Sequence, residues 1–265
     1  MNLVEPPLLA AWYDVRSTSR NLRDLIMPVD TLGLLLCLII SFVAASIHGV
    51  IGFGFNFIGA PILLLLYPQL VPAPIIMNSV VIVCLVGWTT RKDIQYHALG
   101  WAVGACALGA FLAGYTMAMV SASTYSALFG SLLLLAVGVS LLGWRPTITP
   151  STAALGGGIS GFMGTITSIG GPPIALLYQG LPGPALRGTL SAYFLLTTPF
   201  ILAALYSAGC LGWNEVKLSV VLLPGMLLGF ACSKYLARYL NAQATRAIVL
   251  LISTAGGIVL VTRAW

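Results

Sequence analysis

The chain alternates between long uncharged stretches and short polar connections. After Asp30 there is no Lys, Arg, Asp or Glu until Arg91. Further uncharged stretches occupy residues 94–144, 146–186, 188–214, 218–233, 239–245 and 247–262. A helix that crosses a bilayer needs about 20 apolar residues, so this pattern predicts membrane-spanning helices. A β-barrel is excluded because the apolar stretches are continuous and do not alternate with a period of two.

Most of these stretches fit ordinary spanning helices whose ends are marked by Pro and Gly. They are residues 73–90, 98–119, 124–144, 190–208, 216–235 and 245–263. Two further stretches, 32–67 and 153–178, are interrupted by several glycines, and also by Pro61 in the first and by Pro172 and Pro173 in the second. We predict that both are broken or re-entrant helices.

The two interrupted stretches are related to each other. An offset of 112 residues, without a gap, pairs Gly49 with Gly161, Gly52 with Gly164, Asn56 with Ser168, Gly59 with Gly171 and Pro61 with Pro173. Each interrupted stretch is followed by three uninterrupted ones. We therefore predict an internal duplication, with repeat 1 at 31–145 and repeat 2 at 150–265. Residues 1–30 are predicted to form a polar tail at the membrane interface.

The predicted fold is an all-α integral membrane protein of two inverted repeats, each a re-entrant hairpin plus three transmembrane helices, about eight membrane segments in total. Three full crossings per repeat would invert the second repeat relative to the first. In that arrangement most cations outside the tail share one side, which the positive-inside rule makes cytoplasmic. These cations are Arg91, Lys92, Arg145, Arg187, Lys234, Arg238 and Arg246.

Composition excludes several classes of function. Hydrophobic residues make up 59% of the chain and charged residues 7%, against roughly 25% charged in soluble domains. We attribute the net charge of +6 to cations that lie in cytoplasmic loops and contact lipid headgroups. Binding of nucleic acid is not expected, because the longest Lys/Arg run is Arg91-Lys92. The five cysteines are widely spaced, which indicates that they pack as small apolar side chains. We expect no metal and no cofactor.

The interrupted stretches are the candidate substrate site. Unwound backbone at membrane depth costs several kcal/mol per unsatisfied polar group, so it persists where it lines a cavity or is buried. Half-helix N-termini offer N–H groups and a positive dipole end, which suit an anion. The predicted substrate-binding residues are Gly52, Gly54, Asn56, Gly59, Gly164, Thr165, Thr167, Ser168, Gly170 and Gly171. Pro61, Pro172 and Pro173 are predicted to mark the helix breaks.

Two ionisable residues are further candidates. His48 is the one ionisable side chain within the first uncharged stretch, which suggests gating, proton transfer or attraction of an anion. The alternative is a neutral histidine bonded to a carbonyl. Arg187, after the second interrupted stretch, is predicted to draw anions to the cytoplasmic mouth. The isolated pairs Gly100/Gly104 and Gly225/Gly229 predict close helix packing.

The repeated module, G-x-x-G…G-x-P, resembles the TauE/SafE family of sulfite and organosulfonate exporters, also grouped as toluene-sulfonate uptake permeases. It occurs at Gly49–Pro61 and again at Gly161–Pro173. The resemblance covers about 31–265 and implies a multi-pass transporter of small sulfur-containing anions in the bacterial inner membrane. The chain departs from the family in its longer charged tail and in having Phe53, Phe55 and Phe57 where small residues are more usual.

The leading hypothesis is a transporter that alternates access between its two repeats, with no enzymatic activity. A passive anion channel is the alternative, and the sequence does not distinguish the two. An intramembrane serine protease using Ser160 and His48 is disfavoured, because its G-x-S-G match is short and leaves the duplication unexplained. The expected partners are the small anion and membrane lipid, and a homo-oligomer is compatible with the sequence.

Overall fold

A computed structural model describes residues 31–51, 54–141 and 146–263. This part of the chain forms ten α-helices and two short 3-10 turns, with no strand. The helices are α1 (Thr31–Ile51), α2 (Phe55–Leu66), α3 (Ala73–Thr90), α4 (Leu99–Met119), α5 (Ala122–Leu141), α6 (Pro150–Thr167), α7 (Gly171–Tyr178), α8 (Gly183–Ser207), α9 (Trp213–Leu236) and α10 (Ala242–Arg263). The predicted tail at 1–30, Gly52, Phe53 and Arg145 lie outside the described residues.

The predicted all-α, multi-span fold is confirmed. Seven of the described helices are long and apolar enough to cross a membrane, and α2 is a shorter apolar helix. Helix α3 has the bounds predicted from the sequence. Helix α8 begins at Gly183 and not at residue 190, because Pro184 in its first turn has a backbone angle suited to starting a helix.

Each interrupted stretch forms a long helix followed by a short one. Helices α1 and α6 have 21 and 18 residues, whereas α2 and α7 have 12 and 8. At about 1.5 Å per residue, α1 is roughly 31 Å long and α7 roughly 12 Å, against a hydrocarbon core of about 30 Å. By length, the helix that precedes each break is therefore close to a full crossing and the helix that follows it is partial, but α6 is not among the seven helices that are both long and apolar enough to span.

Pro61 lies inside α2 and does not mark its start, which differs from the expectation for this residue. Because proline has no N–H, it leaves the carbonyl four residues earlier, that of Phe57, without its helical donor. The Ser253 hydroxyl of α10 donates to Phe57 O at 2.8 Å and replaces that hydrogen bond. Pro172 and Pro173 do occupy the first turn of α7, as predicted.

The helices can be divided into two bundles, each of which combines helices from both halves of the chain, and the pairs α5 with α10 and α3 with α8 pack extensively across this division. Helix α1 packs along α9, and α4 packs along α6. Helix α10 covers α2, and α5 covers α7. Helix α3 lies against α9, and α8 lies against α4. We call α1, α2, α3, α9 and α10 the first bundle, and α4 to α8 the second bundle.

Glycines bring the helices within each bundle into backbone contact. Gly225 and Gly229 of α9 have no room for a Cβ against the carbonyls of Leu38 and Phe42 in α1, which confirms the predicted packing role of this pair. In the second bundle, Gly157 and Gly161 of α6 take the same role against α4. The prediction for Gly100 and Gly104 is wrong within the described structure, since a Cβ at either would meet nothing within 4 Å.

The bundles meet through two antiparallel helix pairs, α3 with α8 and α5 with α10. A Cβ added to Gly188, near the start of α8, would lie 2.6 Å from the carbonyl oxygen of Thr90 at the end of α3. Likewise, Arg246 near the start of α10 bonds to Ser140 near the end of α5. Each pair joins helices in equivalent positions of the predicted repeats. Their antiparallel arrangement supports the inversion of the repeats, which stays a prediction.

Candidate functional site

Both helix breaks face one cavity of about 400 Å³ between the two bundles. The first bundle contributes His48, the segment 54–57, one side of α3 and Arg246. The second bundle contributes Ser160, the segment 168–172 and one side of α8. The structure therefore brings the two interrupted stretches together, as expected for segments that share one function.

The two breaks are joined by a direct hydrogen bond. The Asn56 side-chain amide donates to the Ser168 carbonyl at 2.6 Å. The Ser168 hydroxyl in turn donates to Pro72 O at 3.3 Å. Asn56 and Ser168 are 112 residues apart and are the two positions that the internal repeat pairs. Residues equivalent in the sequence are thus in contact at the bundle interface.

The first break is formed by a left-handed glycine and a histidine. Gly54 precedes α2 with φ of 119°, a conformation that favours glycine. The Phe55 backbone N–H donates to His48 Nδ1 at 3.4 Å, and His48 lines the cavity. A neutral imidazole whose Nδ1 accepts a hydrogen bond carries its proton on Nε2. Among the described residues, the hydrogen bond of His48 is therefore to an N–H and not to a carbonyl, and its Nε2–H is the donor that remains.

The second break is a short loop folded against α6. Ser168 ends α6 in a left-handed conformation with φ of 63°, and its N–H donates to Gly164 O at 2.9 Å. The Ser160 hydroxyl donates to Gly170 O at 2.5 Å. A Cβ added to Gly170 would lie 2.6 Å from Ser160 O, so the loop can lie against α6 only with glycine at this position. Gly171 also lines the cavity.

Five of the predicted site and break residues are not among those that line the cavity: Gly59, Pro61, Thr165, Thr167 and Pro173. The Thr165 hydroxyl donates to Gly161 O within its own helix. The Thr167 hydroxyl donates to Met163 O at 2.7 Å and accepts the Ile169 N–H at 3.1 Å. Both threonines are fully buried, and their observed role is to hold the end of α6 and the loop after it.

The start of α7 offers fewer backbone donors than a usual helix N-terminus. Its first three residues are Gly171, Pro172 and Pro173, and the prolines have no N–H. Any anion at the second break would therefore depend on the loop backbone and on side chains. Side-chain hydroxyls are available nearby, since Ser160, Ser191 and Tyr193 line the same cavity.

The electrostatics of the cavity are set by arginines. Arg187 of α8 and Arg246 of α10 both line it, and no Asp or Glu is found in its lining within the described structure. An Arg246 Nη2 donates to Ser140 O at 2.5 Å, from the first bundle to the second. The sequence identified Arg187 but not Arg246. Its position at the start of a predicted span was the available signal, and the contact across the bundles was not visible in the sequence.

The groups proposed for a serine protease have other partners in this structure. The Ser160 hydroxyl donates to Gly170 O, whereas His48 Nδ1 accepts the Phe55 N–H. A Ser–His nucleophile needs the serine hydroxyl to donate to the imidazole. The arrangement therefore gives no support to the protease alternative.

Comparison with known proteins identifies the family. The model of the family described as Sulfite exporter TauE/SafE matches residues 37–260, from within α1 to within α10. Searches of curated proteins and of solved structures gave no match. The match extends over most of the chain and includes both breaks, which confirms the resemblance seen in the repeated module. The chain belongs to the TauE/SafE sulfite exporter family, a family of membrane transporters.

Proposed function

We propose that this protein carries small sulfur-containing anions, sulfite or organosulfonates, across the membrane by alternating access. The observation that carries the proposal is the cavity at the junction of the two breaks, whose described lining has two arginines and no carboxylate. A cation would find no countercharge there, whereas an anion would find positive potential and hydrogen-bond donors. The family points to the same class of substrate.

The oxygens of sulfite or of a sulfonate accept hydrogen bonds, so the site must supply donors. We assign this role to the Asn56 amide, the Nε2–H of His48 and the hydroxyls of Ser160 and Ser168, with backbone N–H groups of the loop around Gly170. Asn56 and the hydroxyls now donate to carbonyls and would exchange those partners for the anion. Such an exchange replaces one hydrogen bond by another, so binding is expected to be weak and reversible.

We assign the alternation to movement of the first bundle against the second. Within each bundle, glycines allow the backbone of α1 to contact α9 and that of α4 to contact α6. This close packing makes each bundle stiff. Between the bundles, glycines also bring the antiparallel pairs close together, at Gly188 against Thr90 O and at Gly130 against Gly257 O, and polar contacts bridge them as well. The Asn56–Ser168 bond lies at the junction and the Arg246–Ser140 bond lies at one end of the cavity. Rupture of one contact while the other holds would open one side at a time.

The remaining parts of the proposal concern location and assembly. The family and the position of the cations favour the bacterial inner membrane, with the Arg187 side in the cytoplasm. A homo-oligomer is compatible with the exposed apolar helix faces, which would otherwise contact lipid.

Transport by purified protein in liposomes tests the function. We expect saturable uptake of labelled sulfite or of methanesulfonate, accelerated by the same anion inside the vesicle, because a carrier returns faster when loaded. Non-saturating flux without trans-stimulation would identify a channel. No flux of either anion would refute the substrate class. Thr165→Val is the matched control, because its hydroxyl bonds within its own helix and does not line the cavity.

A further inference from the structure

The two cavity arginines belong to different bundles. Arg187 lies near the start of α8 in the second bundle, and Arg246 lies near the start of α10 in the first. Both side chains are exposed as well as lining the cavity, so they are accessible to an anion arriving from solution. An anion held by both guanidinium groups would bridge the moving parts of the proposed carrier.

Arg246 is held in place by a helix C-terminus. Its Nη2 donates to the carbonyl of Ser140, one residue before the end of α5. The carbonyl end of a helix carries partial negative charge and favours a cation, so this contact fixes the guanidinium at the cavity wall. A guanidinium has five N–H donors, and one such contact leaves others for a ligand with several oxygens.

The arginine pair has no counterpart in the other half of the chain. Counted from the starts of the equivalent helices, Arg187 of α8 corresponds to Met77 of α3 and Arg246 of α10 corresponds to Ser126 of α5. Neither of these residues is charged. The internal repeat therefore provides two similar halves of a pathway, but a cationic pair is built into one end alone.

We infer that Arg187 and Arg246 form an anion-capture site at one end of the pathway, which makes the affinity of the carrier for its oxyanion unequal from the two faces. This inference rests on the proposed function. From the arginine face, the anion meets two positive charges before it reaches the junction at Asn56. From the opposite face, the equivalent positions offer no charge. The asymmetry changes the half-saturation concentration and the transport rate measured from each face. It does not change the final concentration gradient of the anion across the membrane, which the coupling energy determines.

The test is sided transport of labelled sulfite in right-side-out and inside-out membrane vesicles. Loss of one charge contact near water is worth about 1 kcal/mol, so Arg187→Gln and Arg246→Gln should each raise the half-saturation concentration about fivefold from one face. The double variant should raise it by roughly twentyfold or more, with less than about a twofold change from the other face. The vesicle orientation in which the variants raise the half-saturation concentration also shows on which side of the membrane the arginines lie.

Two controls separate capture from general damage. Arg238→Gln removes a cation from an exposed position that is outside the cavity lining and should leave half-saturation within about twofold on both faces. In the unmodified protein, raising the salt from low to physiological ionic strength should weaken transport from the arginine face more than from the other. The salt experiment needs no variant and remains informative if a substitution prevents folding.

The outcomes are distinguishable. Equal effects of Arg246→Gln on both faces, or an effect no larger than that of Arg238→Gln, would overturn the capture site while leaving the transporter intact. If the unmodified protein moves no sulfite, the proposed function fails. Equilibrium dialysis of labelled sulfite with the purified protein then still tests the site, since equal binding by the unmodified protein and the double variant would overturn it.

Discussion

The two helix breaks occupy equivalent places in the chain yet are built from different chemistry. The first combines a left-handed glycine, a histidine and buried aromatic rings, with Asn56 as its polar side chain. The second is a short loop after α6, where the hydroxyls of Ser168 and of Ser160 in α6 donate to carbonyls. One wall of the cavity is therefore aromatic and the other carries hydroxyl groups. Substitutions on each wall, and one away from both, test whether the walls have separate roles.

The largest effect is expected when a charge is placed on the first break. Asn56→Asp removes the amide donor and adds a carboxylate to a cavity lining in which the described structure shows none. At an effective dielectric of about 20, repulsion between charges 4 Å apart is about 4 kcal/mol. We expect sulfite uptake to fall by at least about a hundredfold. Uptake above a tenth of the normal rate would mean that the anion does not pass Asn56.

The second break should tolerate no side chain at Gly170. Gly170→Ala places a Cβ 2.6 Å from Ser160 O, a backbone atom that cannot move aside easily. Such overpacking costs about 2 kcal/mol, which should lower the midpoint of thermal unfolding in detergent. Gly171→Ala is the matched control, because its Cβ would approach nothing closer than Phe194 at 3.9 Å. Equal midpoints for the two variants would show that the loop is looser than observed.

The hydrogen bond between the breaks depends on one side chain and one main-chain carbonyl. Asn56→Ala removes the donor, whereas Ser168→Ala retains the carbonyl that accepts it and loses the 3.3 Å contact to Pro72. We expect about a tenfold fall in the maximal rate of sulfite transport for the first and about twofold for the second. The reverse order would assign the main role to the Ser168 hydroxyl.

The smallest effect is expected away from the cavity. Thr165→Val removes a fully buried hydroxyl that bonds to Gly161 O in its own helix. When the hydroxyl is removed, Gly161 O still accepts the backbone hydrogen bond of its helix. Sulfite transport should therefore stay within about twofold of normal. A fall of tenfold or more in the transport rate, with an unchanged unfolding midpoint, would restore Thr165 to the substrate site.

The fold is largely predictable because lipid imposes a strong constraint on sequence. Long uncharged stretches must become helices in a membrane, so α3 can be bounded correctly from the pattern alone. The contact between Asn56 and Ser168 also has a signal in the sequence, since the internal repeat pairs these two residues. The spacing of Gly225 and Gly229 predicts packing correctly, but the same role of Gly157 and Gly161 was not predicted, and the sequence does not show which helix each glycine meets.

Other features of the site could not be predicted from local sequence. Thr165 and Ser168 look alike as small polar residues in a glycine-rich stretch, yet the Thr165 hydroxyl bonds within its own helix and Ser168 ends that helix with a positive φ. Arg246 is one cation among several until the partnership of α10 with α5 places it on the cavity. The contacts of Ser168 with Pro72 and of Arg246 with Ser140 join segments more than 90 residues apart, which no local pattern contains.

The exchange of helices between the halves has a consequence for biosynthesis. Helix α1 is made early, but its main packing partner, α9, begins at Trp213, after most of the chain has been synthesised. Helix α4 similarly waits for α6. Residues up to about 145 therefore cannot complete either bundle, and the early helices must remain loosely associated in the bilayer until the second half is inserted. A chain truncated between the repeats is expected to be degraded and not to persist as a stable half-transporter, whereas co-expression of both halves offers each the partners that it lacks.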